Sequence, residues 1–163
     1  MTVDIERHSE TRTVLYRTFR PGDEKPFKDL NEFWISQTFV LEDADHKVLD
    51  DPRGQILDQG GEICIAELDG KVVGCCALLN IGTAEYELAK MTVSTTARGR
   101  GIGRKLLQFA IDLARKTGAT RLYLESNTKA VDAVHLYEEL GFRHMPAHAS
   151  KYTRANVFME MFL

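Results

Sequence analysis

The sequence has few cysteines and no pattern of metal ligands. Of its 163 residues three are cysteines, and two of them, Cys75 and Cys76, are adjacent in a predicted strand. Neighbouring side chains of a strand point to opposite faces, so this pair is unsuited to a disulfide. No C-x-x-C motif or His/Cys cluster indicates a zinc site. We therefore expect buried, reduced thiols, as in a cytoplasmic protein, and no metal.

Long apolar segments and a basic charge balance are also missing. No stretch approaches the roughly 18 apolar residues of a membrane helix, and the polar residues 1–12 contain no apolar signal-peptide core. The net charge is −3, whereas a general nucleic-acid binder is basic overall. We expect a cytoplasmic protein with no membrane and no nucleic-acid partner. Residues 1–163 are expected to form one domain, with 1–12 as a loose lead-in.

What the sequence does contain is an alternation of strand and helix patterns. Apolar residues at period two or at helical spacing, with Gly and Pro between them, place the boundaries. The predicted elements are strand 13–20, helix 24–39, short helix 52–59, strands 62–69, 71–81 and 84–94, helix 102–116, strand 120–126, helix 131–140 and strand 155–163. Asp69-Gly70 is predicted to be a hairpin turn, and Trp34 is expected in the core. This order predicts an α/β fold: a mixed, mostly antiparallel central sheet with a parallel strand–helix–strand unit and helices on both faces.

An Arg- and Gly-rich turn at the start of one helix is the strongest local signal. Arg98, Gly101 and Gly103 give the pattern R-x-x-G-x-G. A helix begins with backbone N–H groups that have no helical acceptor and with the positive end of its dipole. Glycines allow the oxygens of an anion to approach this backbone. Further positive charge comes from Arg100, Arg104 and Lys105. The turn is therefore predicted to bind a phosphate or pyrophosphate, the simpler interpretation being a basic, Gly-rich helix start.

Of three known phosphate-binding motifs, one fits this turn. The Gly-Lys-Ser/Thr end of a Walker A loop is absent, and the spacing of Gly99, Gly101 and Gly103 does not fit G-x-G-x-x-G. The remaining motif, R-x-x-G-x-G after the strand Met91-Thr92-Val93, resembles the coenzyme A loop of the GNAT superfamily of acyl-CoA-dependent N-acyltransferases. A second segment, AVHLYEELGF at residues 133–142, resembles the later GNAT signature A-x-x-L-Y-x-x-x-G-F. Because both signatures occur in the right order, the chain is identified as a member of this superfamily.

The resemblance implies a binding site for acetyl-CoA and no metal. The pyrophosphate would be bound by backbone N–H groups and charges of Arg98, Gly99, Arg100, Gly101, Ile102, Gly103 and Arg104. The main-chain N–H of Met91 would face the acyl carbonyl, and Val93 would meet the pantetheine arm like an added strand.

The resemblance also implies a general acid. Tyr137 matches the family tyrosine that contacts the coenzyme A sulfur and protonates the departing thiolate. The family often has a cofactor-binding asparagine seven residues before this tyrosine, and here that position is Ala130. Asn127 either replaces it as a cofactor ligand or caps the following helix.

A base is needed because an amine with a pKa of about 10 is mostly protonated at neutral pH. Some family members have a glutamate four residues before the Met91 position, which is Glu87 here. Strand alternation predicts Glu87, Ala89 and Met91 on one face, where burial would raise the pKa of the carboxyl group. Glu87 is the predicted base, directly or through water, and Glu85 is the reserve. Lys90, on the opposite face, is expected to pair with a carboxylate.

These features together predict an N-acetyltransferase that transfers acetyl to a primary amine of a small molecule or protein. The alternatives are a non-catalytic coenzyme A-binding or sensor module, and nucleic-acid binding through residues 98–105, which the net acidity disfavours. The acidic run 42–51, which includes Asp43 and Asp45, is either a solvated helix face or an acidic mouth for a cationic amine. A homodimer through a sheet edge or the first helices is left open.

Overall fold

Seven strands form one sheet with helices packed against it. The computed structural model describes residues 13–163, and the predicted lead-in 1–12 lies outside them. The strands are β1 (Val14–Thr18), β2 (Glu62–Leu68), β3 (Lys71–Gly82), β4 (Glu85–Val93), β5 (Arg121–Ser126), β6 (Arg143–His144) and β7 (Val157–Phe162). The helices are α1 (Glu24–Thr38), α2 (Asp43–Asp50), α3 (Ile102–Lys116) and α4 (Val131–Glu139).

The strand order in the sheet is β1-β2-β3-β4-β5-β7-β6. Within the described residues, the pairing of β4 with β5 is parallel and the other pairings are antiparallel. This confirms the predicted mixed sheet, because a helix long enough for a crossover connects β4 to β5. The short edge strand β6 was not predicted. The predicted short helix 52–59 is a π-helical turn over Arg53–Leu57.

The hairpin between β2 and β3 has the predicted turn. Asp69 and Gly70 have φ values of 52° and 76°, as the two central positions of a type I′ turn require. The β2–β3 pair then runs from Leu68↔Lys71 to Glu62↔Leu78. The turn residues therefore set the register of the pairs next to the turn, and the register shifts by one residue between Glu67↔Val72 and Ala66↔Gly74.

Two hydrophobic cores cover the two faces of the sheet. On one face, α3 packs through Leu106, Leu107 and Ala110, which are fully buried in a cluster with side chains of β2–β5 and β7. On the other face, Phe27 of α1 and Leu49 of α2 pack against a second set of strand residues. The stripe of apolar residues on each helix thus meets the sheet, and the prediction of helices on both faces is confirmed.

A bulge in β4 changes the faces of its last residues. The pairing with β3 shifts between Ala77↔Ala89 and Cys75↔Thr92, and Lys90 has φ 54° at this place. Ala77 belongs to the core under α1 and α2, whereas Met91 packs against the core under α3. The prediction that Glu87, Ala89 and Met91 share one face is wrong, because the extra residue of a bulge reverses the alternation.

The three cysteines are buried and free, as expected. Within residues 13–163 no helix is both long and apolar enough to cross a membrane, and no group of three His, Cys, Asp or Glu side chains could hold a metal ion.

Candidate active site

A cavity opens where β4 and β5 stop pairing. The two strands are in register from Glu85↔Arg121 to Leu88↔Leu124 and no further. Beyond Leu88 and Leu124 they border a pocket of about 340 Å³. Its lining comprises Trp34, Phe39, residues 87–93, Arg98, Gly103, residues 125–127, Ala130, Asp132, Ala133, Leu136, Tyr137, Tyr152, Arg154 and Ala155. We call the part near Arg98 and Gly103 the turn end, and the part near Lys90, Tyr152 and Arg154 the loop end.

The turn end presents the start of helix α3. Gly101 is the N-cap with φ 73°, and the first helical hydrogen bond is donated by Lys105 N to Gly101 O at 3.2 Å. The N–H groups of residues 102–104 therefore have no helical acceptor. A Cβ at Gly99 or Gly101 would meet no atom within 4 Å, so the backbone here is open. The geometry fits a phosphate or pyrophosphate.

The other residues predicted at this turn have different positions. Ile102 is 2% exposed and its side chain belongs to the core, so only its backbone can face a ligand. Arg104 forms an ion pair with Glu139 on α4. Arg98 Nε donates to Val93 O at 3.3 Å, which ties the turn to the end of β4. Gly99 and Arg100 are exposed on the outer side of the turn. Of the predicted anion-binding residues, Arg98 and Gly103 line the cavity.

Tyr137 of α4 lines the cavity. Its side chain is 8% exposed, and its hydroxyl donates to Met91 Sδ at 3.9 Å. Burial raises the pKa of this hydroxyl above its ordinary value, because the phenolate would lose its hydration. The group therefore keeps its proton at neutral pH, as a proton donor must.

Glu87 lies across the sheet from Tyr137, on the face of α1 and α2. It is 7% exposed, lines the cavity and makes no hydrogen bond with any residue in 13–163. Burial raises the pKa of its carboxyl group; the positive charge of Lys151 opposes this rise and the negative charge of Glu125 adds to it. Glu85, the reserve candidate, lies outside the cavity and pairs with Arg121 at 3.8 Å.

The loop end is built on a buried cluster of charges. Asp45 of α2 is completely buried and accepts from Lys90 Nζ at 2.5 Å and from both terminal nitrogens of Arg154 at 2.6 Å. The ring of Tyr152 packs against both cations, with its centroid 4.7 Å from Lys90 Nζ and 4.6 Å from Arg154 Cζ. Glu42 accepts from Arg154 at 3.2 Å as well. The prediction that Lys90 pairs with a carboxylate is confirmed, although the bulge places it on the face of Glu87.

The acidic run 42–51 is divided between different environments. Glu42 and Asp45 form a capping box that starts α2, with Asp45 Oδ2 accepting from Glu42 N at 2.9 Å. Asp43 is exposed, and Asp50 pairs with Lys28 at 2.8 Å. Neither alternative for this run holds for Asp45, because its side chain is buried rather than solvated and its charge is neutralised by Lys90 and Arg154.

Comparison with known proteins identifies the family. The sequence model of the acetyltransferase (GNAT) family matches residues 24–142. The chain belongs to the GNAT family. The uncharacterised N-acetyltransferase YjgM of Escherichia coli is 36% identical over 95 residues, which are 56% of this chain and 57% of that protein. Streptothricin acetyltransferase of Streptomyces lavendulae is 29% identical over 154 residues, 80% and 82% of the two chains.

The chain spans only part of some relatives, whereas solved acetyltransferases share its whole fold. The matched part spans about half of YjgM (57%) and of the rat N-acetyltransferase family 8 member 2 (51%). A GNAT-family acetyltransferase of Staphylococcus aureus has the same fold, with a TM-score of 0.82, 20% identity, and coverage of 92% of this chain and 99% of that one. The acetyltransferase yncA of Salmonella typhimurium, solved with acetyl-CoA, gives a TM-score of 0.72 at 21% identity, with coverage of 92% and 94%.

Asn127 was the open question of the second GNAT signature. It does not cap α4, because the N-cap is Ala130, which makes no side-chain capping bond. Instead Asn127 Nδ2 donates to Arg154 O at 2.6 Å, and its Oδ1 accepts from Lys129 N at 2.8 Å. It lines the cavity while holding the loop before β7. Its role as a cofactor ligand remains a prediction.

Several cavity residues of this GNAT protein were not predicted from the sequence. Trp34 was expected in the core, but it lines the cavity edge-on to Phe39, with ring centroids 6.4 Å apart. Glu125 had a usable signal, because a carboxylate in a short buried strand is costly without a function or a partner. Tyr152 and Arg154 had no such signal, since they lie in a loop far along the chain from their partners on α2 and β4.

Proposed function

We propose that this chain is an acetyl-CoA-dependent N-acetyltransferase that transfers an acetyl group to a primary amine of a small molecule or protein by direct attack. One observation is central to the proposal: a buried carboxylate that has no hydrogen-bond or ion-pair partner among residues 13–163 (Glu87) and a buried tyrosine hydroxyl (Tyr137) line one cavity. The glycine-rich turn at Arg98–Gly103, whose backbone is open at Gly99 and Gly101, lies at one end of it. An acyl transfer to an amine needs a proton acceptor, a proton donor and a place for the donor's phosphates.

The printed descriptions of similar proteins support the choice of donor. The Salmonella neighbour was solved with acetyl-CoA, and PaiA N-acetyltransferase of Thermoplasma acidophilum was solved with coenzyme A. At the turn end, the free N–H groups of residues 102–104 and the charge of Arg98 would hold the pyrophosphate. When bound, acetyl-CoA supplies an acetyl group activated as a thioester.

The residues of β4 would orient the acyl group. The bulge at Lys90 interrupts the ladder with β3, and Met91, the next residue, lines the cavity. A backbone N–H at this position would stabilise negative charge on the acyl oxygen. Val93, next on the cavity wall, would pair with the pantetheine arm.

Proton transfer would involve Glu87 and Tyr137. A carboxyl group with a raised pKa is a stronger base than an ordinary glutamate, so Glu87 would take the proton of the acceptor ammonium, directly or through water. Tyr137 keeps its proton at neutral pH and would give it to the departing thiolate.

The experiment is thiol release from acetyl-CoA with a panel of primary amines, together with calorimetric titration of acetyl-CoA. We expect micromolar binding, and thiol release only when an accepted amine is present. Tyr137→Phe should bind acetyl-CoA normally and lower kcat by about 100-fold or more. Tyr86→Phe is the matched control, because it removes the hydroxyl of a tyrosine on β4 that does not line the cavity.

The outcomes separate the two interpretations of this site. Binding of acetyl-CoA without product from any amine would favour a non-catalytic coenzyme A-binding or sensor module. Absence of binding by the folded protein would overturn the proposal as a whole.

A further inference from the structure

The proposed reaction releases one proton per turnover. The acceptor is an ammonium ion in solution, whereas the amide and the free thiol are neutral. The C–S bond of the thioester breaks, the new C–N bond forms, the thiolate receives a proton, and one proton must reach solvent. Both Glu87 and Tyr137 are more than nine-tenths buried, so this proton needs a path out of the cavity once donor and acceptor fill it.

A series of polar side chains at hydrogen-bond distance from one another connects the cavity with the surface. Glu125, at the end of β5, lines the cavity, and its Oε2 is 2.9 Å from the hydroxyl of Tyr123. The same hydroxyl is 2.9 Å from Nε2 of His148. Glu125 Oε1 accepts from the hydroxyl of Ser150, which fixes the carboxylate. His148 is exposed, so this series of side chains ends in solvent.

The tautomer of His148 follows from its second nitrogen. Nδ1 lies 2.9 Å from the carbonyl oxygen of Ala149, which can only accept, so Nδ1 bears the proton of the neutral ring. Nε2 is then an acceptor facing the Tyr123 hydroxyl. The ring is held by Phe158, with centroids 4.4 Å apart, and stacks on Tyr123 at 5.8 Å.

The path from Glu125 through Tyr123 to His148 therefore has one proton fewer than its hydrogen-bonding positions can use. The single O–H of Tyr123 lies between two acceptors, the Glu125 carboxylate and His148 Nε2, and it can donate to one of them only. One added proton on Glu125 satisfies every position: Glu125 donates to the Tyr123 oxygen, and Tyr123 donates to Nε2. Within residues 13–163 no cation forms an ion pair with Glu125 that would remove this capacity.

We propose that Glu125, Tyr123 and His148 form the path by which the proton taken from the acceptor ammonium leaves the cavity. The inference rests on the proposed function. A proton reaches the carboxylate of Glu125 from the cavity, where Glu87 is its neighbour. The Tyr123 hydroxyl passes its own proton to His148 Nε2 as it receives the proton of Glu125. The imidazolium of His148 loses one proton to solvent, and all three groups return to their starting forms.

The test uses the full chain with an accepted amine in dilute buffer, with imidazole as the probe. We expect His148→Ala to lower kcat on the order of tenfold or more, which is less than the roughly 100-fold or larger contribution of a group that transfers the proton at the reacting atoms. The KM values for acetyl-CoA and amine should change little. Added imidazole should restore kcat of His148→Ala and leave the wild type unchanged. A purely structural role of His148 would not respond to imidazole.

Two further variants test whether His148 acts through the Tyr123 hydroxyl and provide a control. Tyr123→Phe keeps the ring and removes the hydroxyl, so Tyr123→Phe/His148→Ala should be slow and should not respond to imidazole. His144→Ala is the matched control, because His144 is also an exposed histidine but pairs with Glu138 outside the cavity at 3.2 Å. It should retain the kcat of the wild type.

The outcomes that overturn the inference differ from those that overturn the function. An active wild type with unchanged kcat for His148→Ala in dilute buffer overturns the relay alone. So does a slow His148→Ala variant that imidazole fails to restore. A wild type that releases no thiol with any amine overturns the proposed function and the relay together.

Discussion

The two ends of the cavity are built in opposite ways. The turn end consists of consecutive residues, in which the end of β4, the turn and the start of α3 lie within positions 91–104. The loop end joins α2, the β4 bulge and the loop before β7: Asp45 meets a residue 45 positions later (Lys90) and another 109 positions later (Arg154). A site made of neighbours in sequence depends on local backbone geometry, whereas a site made of distant residues depends on the whole fold.

The two ends also differ in how they handle charge. At the turn end, Arg98 and Arg100 are exposed and the first N–H groups of α3 have no helical acceptor, so the positive charge is available to a ligand. At the loop end, Lys90 and Asp45 are buried and satisfy each other. We therefore expect substitutions at the loop end to affect mainly folding, and substitutions at the turn end to affect mainly ligand binding.

Asp45→Ala should have the largest effect on folding. It would leave Lys90 and Arg154 buried without their shared counterion. Removing one partner of such a cluster costs about 3–5 kcal/mol of the free energy of unfolding. Urea denaturation would measure the loss.

Asp43→Ala is the matched control on the same helix, and its exposed side chain should change stability by no more than about 0.5 kcal/mol. Equal effects of the two variants would show that the cluster does not stabilise the fold.

The pH dependence of stability provides a second check on this cluster. Burial would raise the pKa of Asp45, but the hydrogen bonds from Arg154 and Lys90 outweigh it and hold this pKa below its ordinary value. The stabilisation by Asp45 is therefore present above the unfolded-state pKa of about 3.9 and is lost as pH falls below it. Asp45→Ala should lack this part of the acid sensitivity.

Arg98→Glu tests the turn end. If the turn binds the pyrophosphate, loss of a charged contact worth about 1.5–3 kcal/mol should raise the Kd for acetyl-CoA by roughly tenfold to a hundredfold. The free energy of unfolding should change little, since the side chain is exposed. Lys116→Glu, at the opposite end of α3, makes the same charge change and should leave the Kd unaltered. A similar Kd change in both variants would indicate long-range electrostatics rather than a site.

Gly101→Ala should have the smallest of the three effects. Gly101 has φ 73°, and an added Cβ would touch nothing within 4 Å, so the cost is conformational, about 1–2 kcal/mol. Gly103→Ala is the contrast in the first helical turn. There φ is not in the left-handed region and the Cβ would meet Val93 and Met91 at 3.7 and 3.8 Å, which are ordinary contacts. Alanine in a helix is favoured over glycine by up to about 1 kcal/mol. Thermal or urea unfolding that ranks these two variants in the reverse order would contradict this account of the turn.

Much of the fold followed from local patterns in the sequence. Helix α3 has the predicted bounds, Ile102–Lys116, because its apolar stripe and the glycines at its two ends mark it clearly. The Asp69-Gly70 turn and the parallel β4–β5 pair also follow from local rules. The same locality made the turn end recognisable, since its glycines and arginines are consecutive.

The tertiary structure alone decided the loop end and the faces of β4. The bulge at Lys90 has a positive φ at a non-glycine residue, and no pattern in the sequence marks it, yet it reverses the face of Met91 relative to Glu87. The partners of Asp45 and the chain from Glu125 through Tyr123 to His148 join segments far apart in sequence. Alternation and helical spacing report which side of its own element a residue occupies. Which distant residue faces it is determined only when the sheet and helices pack together.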